Sequence, residues 1–124
     1  MLKKTNDISG TSLQGYLNAS YDKIVKVLGE PHENYDDGKI DAEWNFKINS
    51  HVVTLYNYKD GKNYLGSEGA DIKDITIWHI GGHDKRVLKE VKKLFTDNEV
   101  VSFEDYYRGL LNKGMGESRE ITLP

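Results

Sequence analysis

The chain has 124 residues, of which 37% are hydrophobic and 30% are charged, and its formal net charge is -3. This length fits one domain, and a mean hydropathy of -0.66 is typical of a globular protein surrounded by water. No apolar run approaches the ~20 residues of a membrane span, and no secretory signal opens the chain, so the sequence predicts a cytoplasmic protein. The absence of cysteine excludes disulfides, and the acidic balance argues against a general nucleic-acid coat.

The first ordered segment that the sequence predicts is Gly10–Tyr16, which contains the two glycines Gly10 and Gly15. Backbone N–H groups next to glycine can approach a phosphate, but neither the GxGxxG nor the GxxxxGK[ST] spacing is present. We therefore favour a short edge strand over a phosphate loop, and the sequence predicts no cofactor.

The clearest helix covers Tyr21–Leu28, where apolar residues recur at the i, i+3, i+4, i+7 spacing of one helical face. Ser20 is a suitable N-cap for it. Gly29 can take a left-handed conformation and Pro31 cannot continue a helix, so the end is as well specified as the start.

A hairpin is predicted next, because residues 40–48 alternate strictly between apolar and polar types. Asn49 and Ser50 provide its turn, and His51–Tyr58 is rich in β-branched and aromatic residues. The connection Lys59–Gly69 contains three glycines and little periodicity, which indicates a long loop.

A third strand is predicted over Asp74–Ile80 and a helix over Lys85–Phe95, with His83 or Asp84 as its cap. A third short helix is predicted over Ser102–Leu111, with Ser102 at its start. The segment from Lys113 onward is polar and short of core residues, and we expect it to be mobile.

The sequence therefore predicts a single α+β domain over residues 1–112, followed by a mobile C-terminal tail over residues 113–124. The sheet is expected to be mainly antiparallel, with three to four strands, and to be covered on one face by the helices Tyr21–Leu28 and Lys85–Phe95. The predicted core consists of Val25, Leu28, Trp44, Phe46, Val53, Leu55, Ile75, Ile77, Leu88 and Val91.

The densest group of chemistry-bearing residues lies between Trp78 and His83, where two imidazoles flank two glycines. A zinc site is not expected, because the glycines interrupt any helix that would bring the imidazoles together and no HExxH pattern is present. His79 could act as an acid or base oriented by Glu43 from a neighbouring strand, although a satisfied, half-buried strand residue is the commoner outcome. We expect at least one of Gly81 and Gly82 to have a positive φ, which would form a small polar recess at His83.

A second candidate site is the segment around Tyr58, Lys59, Lys62, Asn63 and Tyr64. These residue types can stack on a base and contact a phosphate, and they equally suit a protein interface, in which tyrosine supplies contact area. Without a basic excess we favour the interface, with a merely exposed loop as the remaining alternative. The basic helix Lys85–Lys93 leaves a local nucleic-acid contact open, but an ordinary solvated face is the favoured interpretation.

Four runs carry a resemblance to a known family: GTSLQGY at Gly10–Tyr16, DAEW at Asp41–Trp44, YNYKDGKNYLG at Tyr56–Gly66 and WHIGG at Trp78–Gly82. Together they resemble a family of small uncharacterised proteins encoded by bacteriophages and other large DNA viruses. The resemblance implies a viral accessory protein in the host cell cytoplasm and supplies no catalytic residues.

We therefore predict a non-enzymatic viral protein that binds and inhibits a host component, such as an anti-defence or anti-CRISPR protein. The alternative is a small-molecule or nucleotide-binding protein that sequesters or hydrolyses a nucleotide-like ligand. Tyr64 would then stack on the base, Lys59 or Lys62 would meet the phosphate, and Trp78 and His79 would lie at the end of the sheet.

Overall fold

The protein is described by a computed structural model that covers residues 2–32 and 38–117, with side chains described as far as residue 110. The strands are β1 (Leu2–Lys4), β2 (Ser12–Asn18), β3 (Glu43–Ile48), β4 (His51–Tyr56), β5 (Ile77–Gly82) and β6 (Val100–Ser102). The α-helices are α1 (Tyr21–Leu28), α2 (Lys62–Leu65), α3 (Arg86–Leu94) and α4 (Phe103–Glu117), and short 3-10 turns lie at Gly66–Glu68 and Ile72–Asp74. Among the described residues, no helix combines the length and the apolar composition needed to cross a bilayer.

The six strands form one antiparallel sheet in the order β1-β3-β4-β5-β2-β6. The predicted α+β class is confirmed, but the sheet is larger than the three to four strands expected. The difference comes from β1 and β6, whose three residues each are too short to show an alternating pattern. The predicted edge strand near Gly10–Tyr16 is a strand, β2, but it lies between β5 and β6 and is not an edge.

Helix α1 has the boundaries that its sequence predicts. The hydroxyl of Ser20 accepts a hydrogen bond from the backbone N–H of Lys23 at 3.1 Å. Gly29 has a φ of 88°, and its N–H donates to the carbonyl of Val25. Both ends of the helix are therefore closed by the residues that the sequence assigned to them.

The predicted hairpin is also confirmed, as β3 and β4. Asn49 and Ser50 both have positive φ, at 49° and 74°, as the two central residues of a tight hairpin turn require. Ile48 and His51 close the ladder on either side of this turn. Because side chains alternate across the sheet, this register fixes which residues of both strands share a face.

One face of the sheet carries the core and is covered by α1 and α3, as predicted. Trp44 and Leu55 are buried there, whereas Ile77, which was expected in the core, is only half-buried. Trp78 and Ile80, whose side chains point to the other face of the sheet from Ile77, are fully buried in the core. The error arose because β5 begins only after the 3-10 turn Ile72–Asp74, so buried Ile75 precedes the strand and does not share its alternation. Val25 and Leu28 are partly buried and pack against the core.

The opposite face of the sheet, which we call the polar face, is partly covered by α4. The ring of Tyr16 on β2 packs against that of Tyr106 on α4 with 4.1 Å between centroids. Ser102 caps α4 as expected, because its hydroxyl accepts a hydrogen bond from the N–H of Asp105 at 3.1 Å. The helix continues to Glu117, which includes the first residues of the predicted tail, and residues 118–124 lie outside the described part of the chain.

The expectation for Gly81 and Gly82 is wrong, since neither has a positive φ and β5 runs through both. Their small size serves close packing instead. A Cβ on Gly81 would overlap the hydroxyl of Thr54, and one on Gly82 would lie 2.6 Å from a methyl group of Val87. The two glycines thus admit neighbours on opposite faces of the sheet, and the predicted recess at His83 has no basis in backbone conformation.

The outer side of β3 is covered by two separate segments, residues 2–5 and His32. β1 pairs with its second half, from Phe46 to Ile48. The N–H of Thr5 donates to the carbonyl of Asn45 at 3.1 Å, and the N–H of His32 donates to that of Glu43 at 2.7 Å. The backbone of β3 is therefore hydrogen-bonded along most of both sides.

Candidate functional site

A cavity of about 410 Å³ opens on the polar face of the sheet. Thr54 of β4 and Gly81 of β5 are register partners and both line it. Because a side chain on Gly81 would collide with Thr54, the glycine keeps this part of the cavity open. The volume lies within the ~300–1,000 Å³ typical of small-molecule sites.

The walls of the cavity combine aromatic rings, hydroxyl groups and one carboxylate. Tyr56 and Tyr58 stand nearly perpendicular to each other, at 83° with 6.5 Å between centroids. Glu43 lies beside them, and its Oε2 accepts a hydrogen bond from the side-chain amide of Asn45 at 2.9 Å. The remaining lining residues are Ile8, Thr11, Ser12 and Ile40. Glu43 is thus the one charged residue among the described residues of the lining.

His79 lies next to this cavity, surrounded by tyrosine rings. It stacks on Tyr56 at 21° and 5.2 Å, and Tyr16 and Tyr58 meet it edge-on at 5.0 and 5.7 Å. Burial lowers the pKa of His79, against a smaller opposing effect from the negative charge of Asp60, so the imidazole is neutral at neutral pH. Its buried Nδ1 has no hydrogen-bond partner among the described residues.

The expected pairing of Glu43 with His79 does not form, because the two residues lie on opposite sides of β4 with Tyr56 between them. Two strand spacings of ~4.8 Å each separate their backbones. The half-buried strand position expected for His79 is confirmed, but the expectation that its polar atoms would be satisfied is not, because Nδ1 lacks a partner among the described residues. Glu43 therefore does not orient His79 as an acid or base. Its carboxylate lines the cavity.

Tyr58, Lys59 and Tyr64 come together as the sequence predicted. The ammonium of Lys59 lies 5.3 Å from the centroid of Tyr58 and 5.5 Å from that of Tyr64. Both tyrosines are exposed, and Leu65 beside them is 45% exposed. Lys59 has a φ of 63°, a strained conformation for a residue with a side chain, while its N–H is held by the carbonyl of Lys39. We call these four residues, Tyr58, Lys59, Tyr64 and Leu65, the tyrosine surface.

Lys62 and Asn63 hold this segment in place and do not extend the tyrosine surface. Lys62 forms an ion pair with Asp71 at 2.7 Å. Asn63 donates from its side chain to the carbonyl of Ile40 at 2.8 Å and from its backbone to Asp41 at 3.3 Å. The expected long loop is instead a compact segment that contains α2 and the 3-10 turn Gly66–Glu68, which gives Tyr64 and Leu65 a fixed position.

Trp78 and His83 lie apart from both groups. Trp78 is fully buried on the core face, where its indole N–H donates to the carbonyl of Ala19 at 2.9 Å. It is removed from the candidate site, because no ligand on the polar face can reach it. His83 is exposed after the end of β5, beside the turn at Gly10.

Part of the positive charge of the basic helix is paired with neighbouring carboxylates. Lys85 pairs with Glu104 at 2.6 Å, and Arg86 pairs with Asp84 at 2.7 Å. The carboxylate of Asp84 also accepts the N–H of Arg86 at 2.9 Å, which gives it a role at the start of α3. These pairs favour the ordinary solvated face over a nucleic-acid contact.

Sequence reasoning missed three residues that build the polar face: Tyr16, Thr54 and Tyr56. A signal was present, since Thr54 and Tyr56 are two apart in a predicted strand and must share a face. Tyr16 carried no such signal, because its neighbours depend on the position of β2 inside the sheet. Burial raises the pKa of Tyr16, with a hydrogen bond to Tyr107 as the next cause, so its phenol stays protonated.

No protein-family model, no curated protein and no solved structure matches this chain. The resemblance to a viral family therefore stays a prediction.

Proposed function

We propose that this chain is a non-catalytic binding protein that holds a partner protein through the tyrosine surface. The observation that carries the proposal is the position of Lys59, whose ammonium lies against two exposed tyrosine rings. Tyrosine gives a large contact area for little conformational entropy, and it is enriched among the residues that dominate binding energy. Exposed Leu65 adds apolar area next to these rings.

The local backbone supports the same proposal. A residue with a side chain in the left-handed region costs about 1 kcal/mol or more, and such strain collects at functional positions. Lys59 has this conformation although its side chain is exposed and adds nothing to the core. The ion pair and the hydrogen bonds of Lys62 and Asn63 preorganise the surface, which lowers the entropy lost on binding.

We further propose that the partner is a host component and that binding inhibits it, as in an anti-defence or anti-CRISPR protein. This part of the proposal rests on the sequence resemblance to viral proteins alone. The tyrosine surface supplies a means of binding, and the identity of the partner is left to experiment.

The test is a pull-down from bacterial lysate with the wild type and a Tyr64→Ala/Leu65→Ser variant. Leu110→Ser is a matched control, because Leu110 is 46% exposed and Leu65 is 45% exposed. We expect the wild type and the control to recover the same protein and the double variant to lose it. Equal recovery by all three, loss in the control alone, or no specific protein in any of them would contradict the proposal.

A second candidate function, the binding of a small molecule, is favoured by the cavity on the polar face. A phosphate-bearing ligand suits it poorly, because the charged residue in its described lining is Glu43 and Lys62 is paired with Asp71. A thermal-shift panel of nucleotides and uncharged or cationic compounds tests this function. A ligand at about 100 times its dissociation constant stabilises the fold by about 2.7 kcal/mol, and no shift with any compound would contradict it.

A further inference from the structure

We propose that a second cavity, at the β1 edge of the sheet, binds a small carboxylate with a short apolar chain, and that Lys4 is its counter-ion. This cavity, which we call the edge cavity, measures about 230 Å³. Its described lining shares no residue with the cavity on the polar face or with the tyrosine surface. The inference therefore goes beyond the proposed function and can fail independently of it.

The edge cavity lies between the two segments that cover the outer side of β3. Its floor is Trp44–Phe46 of β3, and its walls are Leu2–Lys4 on one side and Leu28 and His32 on the other. Both segments reach Asn45, whose N–H donates to Nδ1 of His32 at 3.3 Å and whose carbonyl accepts from the N–H of Thr5 at 3.1 Å. The cavity is thus at the junction of these two segments.

The apolar part of the edge cavity is formed by side chains on the core face of the sheet. The register of β1 with β3 places Leu2 and Lys4 on the same face as Phe46. Trp44 and Phe46 are buried and form an apolar floor, and the indole N–H of Trp44 already donates to the carbonyl of Gly29 at 2.8 Å. Leu2 is 41% exposed, so it has apolar area that a ligand can cover.

The volume of the edge cavity sets the size of its ligand. Water occupies ~30 Å³ per molecule in the liquid, so about 230 Å³ corresponds to roughly eight non-hydrogen atoms. Sites for drug-sized compounds are larger, at ~300–1,000 Å³. A carboxylate followed by a chain of about five carbons has the matching size.

The charge of the edge cavity selects the carboxylate. The charged residues of its described lining are Lys3 and Lys4, and neither forms an ion pair with a described residue. Because Nδ1 of His32 accepts a hydrogen bond, the neutral imidazole carries its proton on Nε2, which is a second donor. The side chain of Asn45 lies on the opposite face, where it donates to Glu43. An ammonium beside an apolar floor therefore favours an anion over a neutral or cationic group.

The experiment is an NMR titration of the full chain, in low-salt buffer, with hexanoate, hexanamide and n-hexylammonium, which share an apolar chain and differ in charge. Burial of the five carbons beyond the carboxylate predicts a Kd of about 1 mM for hexanoate. We expect hexanoate to shift the amide signals of Lys4 and Phe46 and the indole signal of Trp44, and to bind about threefold to fivefold more tightly than the other two compounds. Acetate, which lacks the chain, should leave these signals in place. The amide of Gly81, in the other cavity, is the internal reference and should not shift.

Two pairs of variants separate charge and apolar contact from folding. Lys4→Gln keeps most of the length of the side chain without its charge, and it should weaken hexanoate binding about threefold to fivefold with no change in Tm. Lys47→Gln is the matched control, because Lys47 is exposed on the neighbouring strand and lies outside the described lining. Leu2→Ala should weaken hexanoate and hexanamide alike, by about threefold. Leu110→Ala, at a residue of similar exposure, should change neither.

Four results would overturn the inference. The first is binding of hexanamide or n-hexylammonium as tight as that of hexanoate. The second is no shift of the edge-cavity signals by hexanoate up to about ten times the expected Kd. The third is unchanged affinity in Lys4→Gln or an equal loss in Lys47→Gln, which would indicate general attraction to positive charge. The fourth is a shift confined to Gly81, which would place binding in the other cavity. The pull-down depends on Tyr64 and Leu65, so none of these outcomes affects it.

Discussion

Replacing Gly81 by alanine tests whether close packing between β4 and β5 sets the inner wall of the cavity. The new methyl group would overlap the hydroxyl of Thr54, which is 3% exposed and has little room to move. Overpacking of this kind costs about 1–3 kcal/mol, while the lower entropy of the unfolded chain returns about 0.5–1 kcal/mol. We therefore expect the free energy of unfolding to fall by about 0.5–2 kcal/mol.

Thr54→Ala removes the group that the new methyl meets and supplies the rescue. In the double variant, Gly81→Ala should cost much less than in the wild type, since contacting residues give non-additive effects. Gly82→Ala is the matched control, because its methyl would meet Val87 on the other face and Thr54→Ala should not relieve it. Urea denaturation followed by the emission of buried Trp44 and Trp78 measures the wild type, the three single variants and the two double variants that contain Thr54→Ala. The reasoning is refuted if the cost of Gly81→Ala is the same with and without the threonine hydroxyl, or if Thr54→Ala relieves both glycine variants equally.

Three further predictions concern stability. Asn57 is fully buried, and its side chain forms hydrogen bonds with the carboxylates of Asp41 and Asp60 and with two backbone N–H groups. Asn57→Ala should therefore lower the free energy of unfolding, measured by urea denaturation, by about 2–4 kcal/mol. A change under about 1 kcal/mol would contradict this. Because burial lowers the pKa of His79 below 6.5, the unfolded chain binds the extra proton first, so stability should fall as the pH drops from about 7 to about 5. His79→Gln should reduce this change in stability between the two pH values, as measured by urea denaturation at each. If the free energy of unfolding of the variant falls as much as that of the wild type, His79 is not its source. Ser20→Ala should lower the free energy of unfolding by about 1 kcal/mol, whereas Ser20→Asp, which keeps a capping acceptor, should stay close to the wild type. Thermal unfolding measures both, and equal Tm values for all three proteins would exclude a capping role.

The elements that the sequence predicted best are those with local signals. Ser20 and Gly29 mark both ends of α1, and the pair Asn49-Ser50 fits a tight turn between two strands, so neither element depends on distant contacts. β6 could not be recognised in the same way, because its three residues become a strand only by pairing with β2. Ile77 was wrongly predicted to lie in the core, because apolar residues occur on both sides of β5. Which side is buried depends on where the strand begins, and β5 begins at Ile77, after the buried Ile75.

The candidate site was predicted only in part, because contacts that depend on strand pairing leave no local signal in the sequence. Tyr58, Lys59 and Tyr64 are close in sequence and are also close in space. The cavity joins Glu43, Thr54 and Gly81 from three strands, and its existence depends on the sheet order and register. Pattern reading identifies the residue types for such a cavity, but only the three-dimensional pairing brings them together.

The covered outer side of β3 has a consequence for association between molecules. An extended strand with unpaired backbone groups is a template on which another chain can add a strand. Here residues 2–5 and His32 take different parts of that backbone, so no continuous row of donors and acceptors faces outward along β3. An incoming strand would have to displace both segments before it could pair. β1 itself offers only three residues, two of them lysines, which makes it a poor substitute template. The two segments thus protect this side of the six-stranded sheet from strand addition along β3.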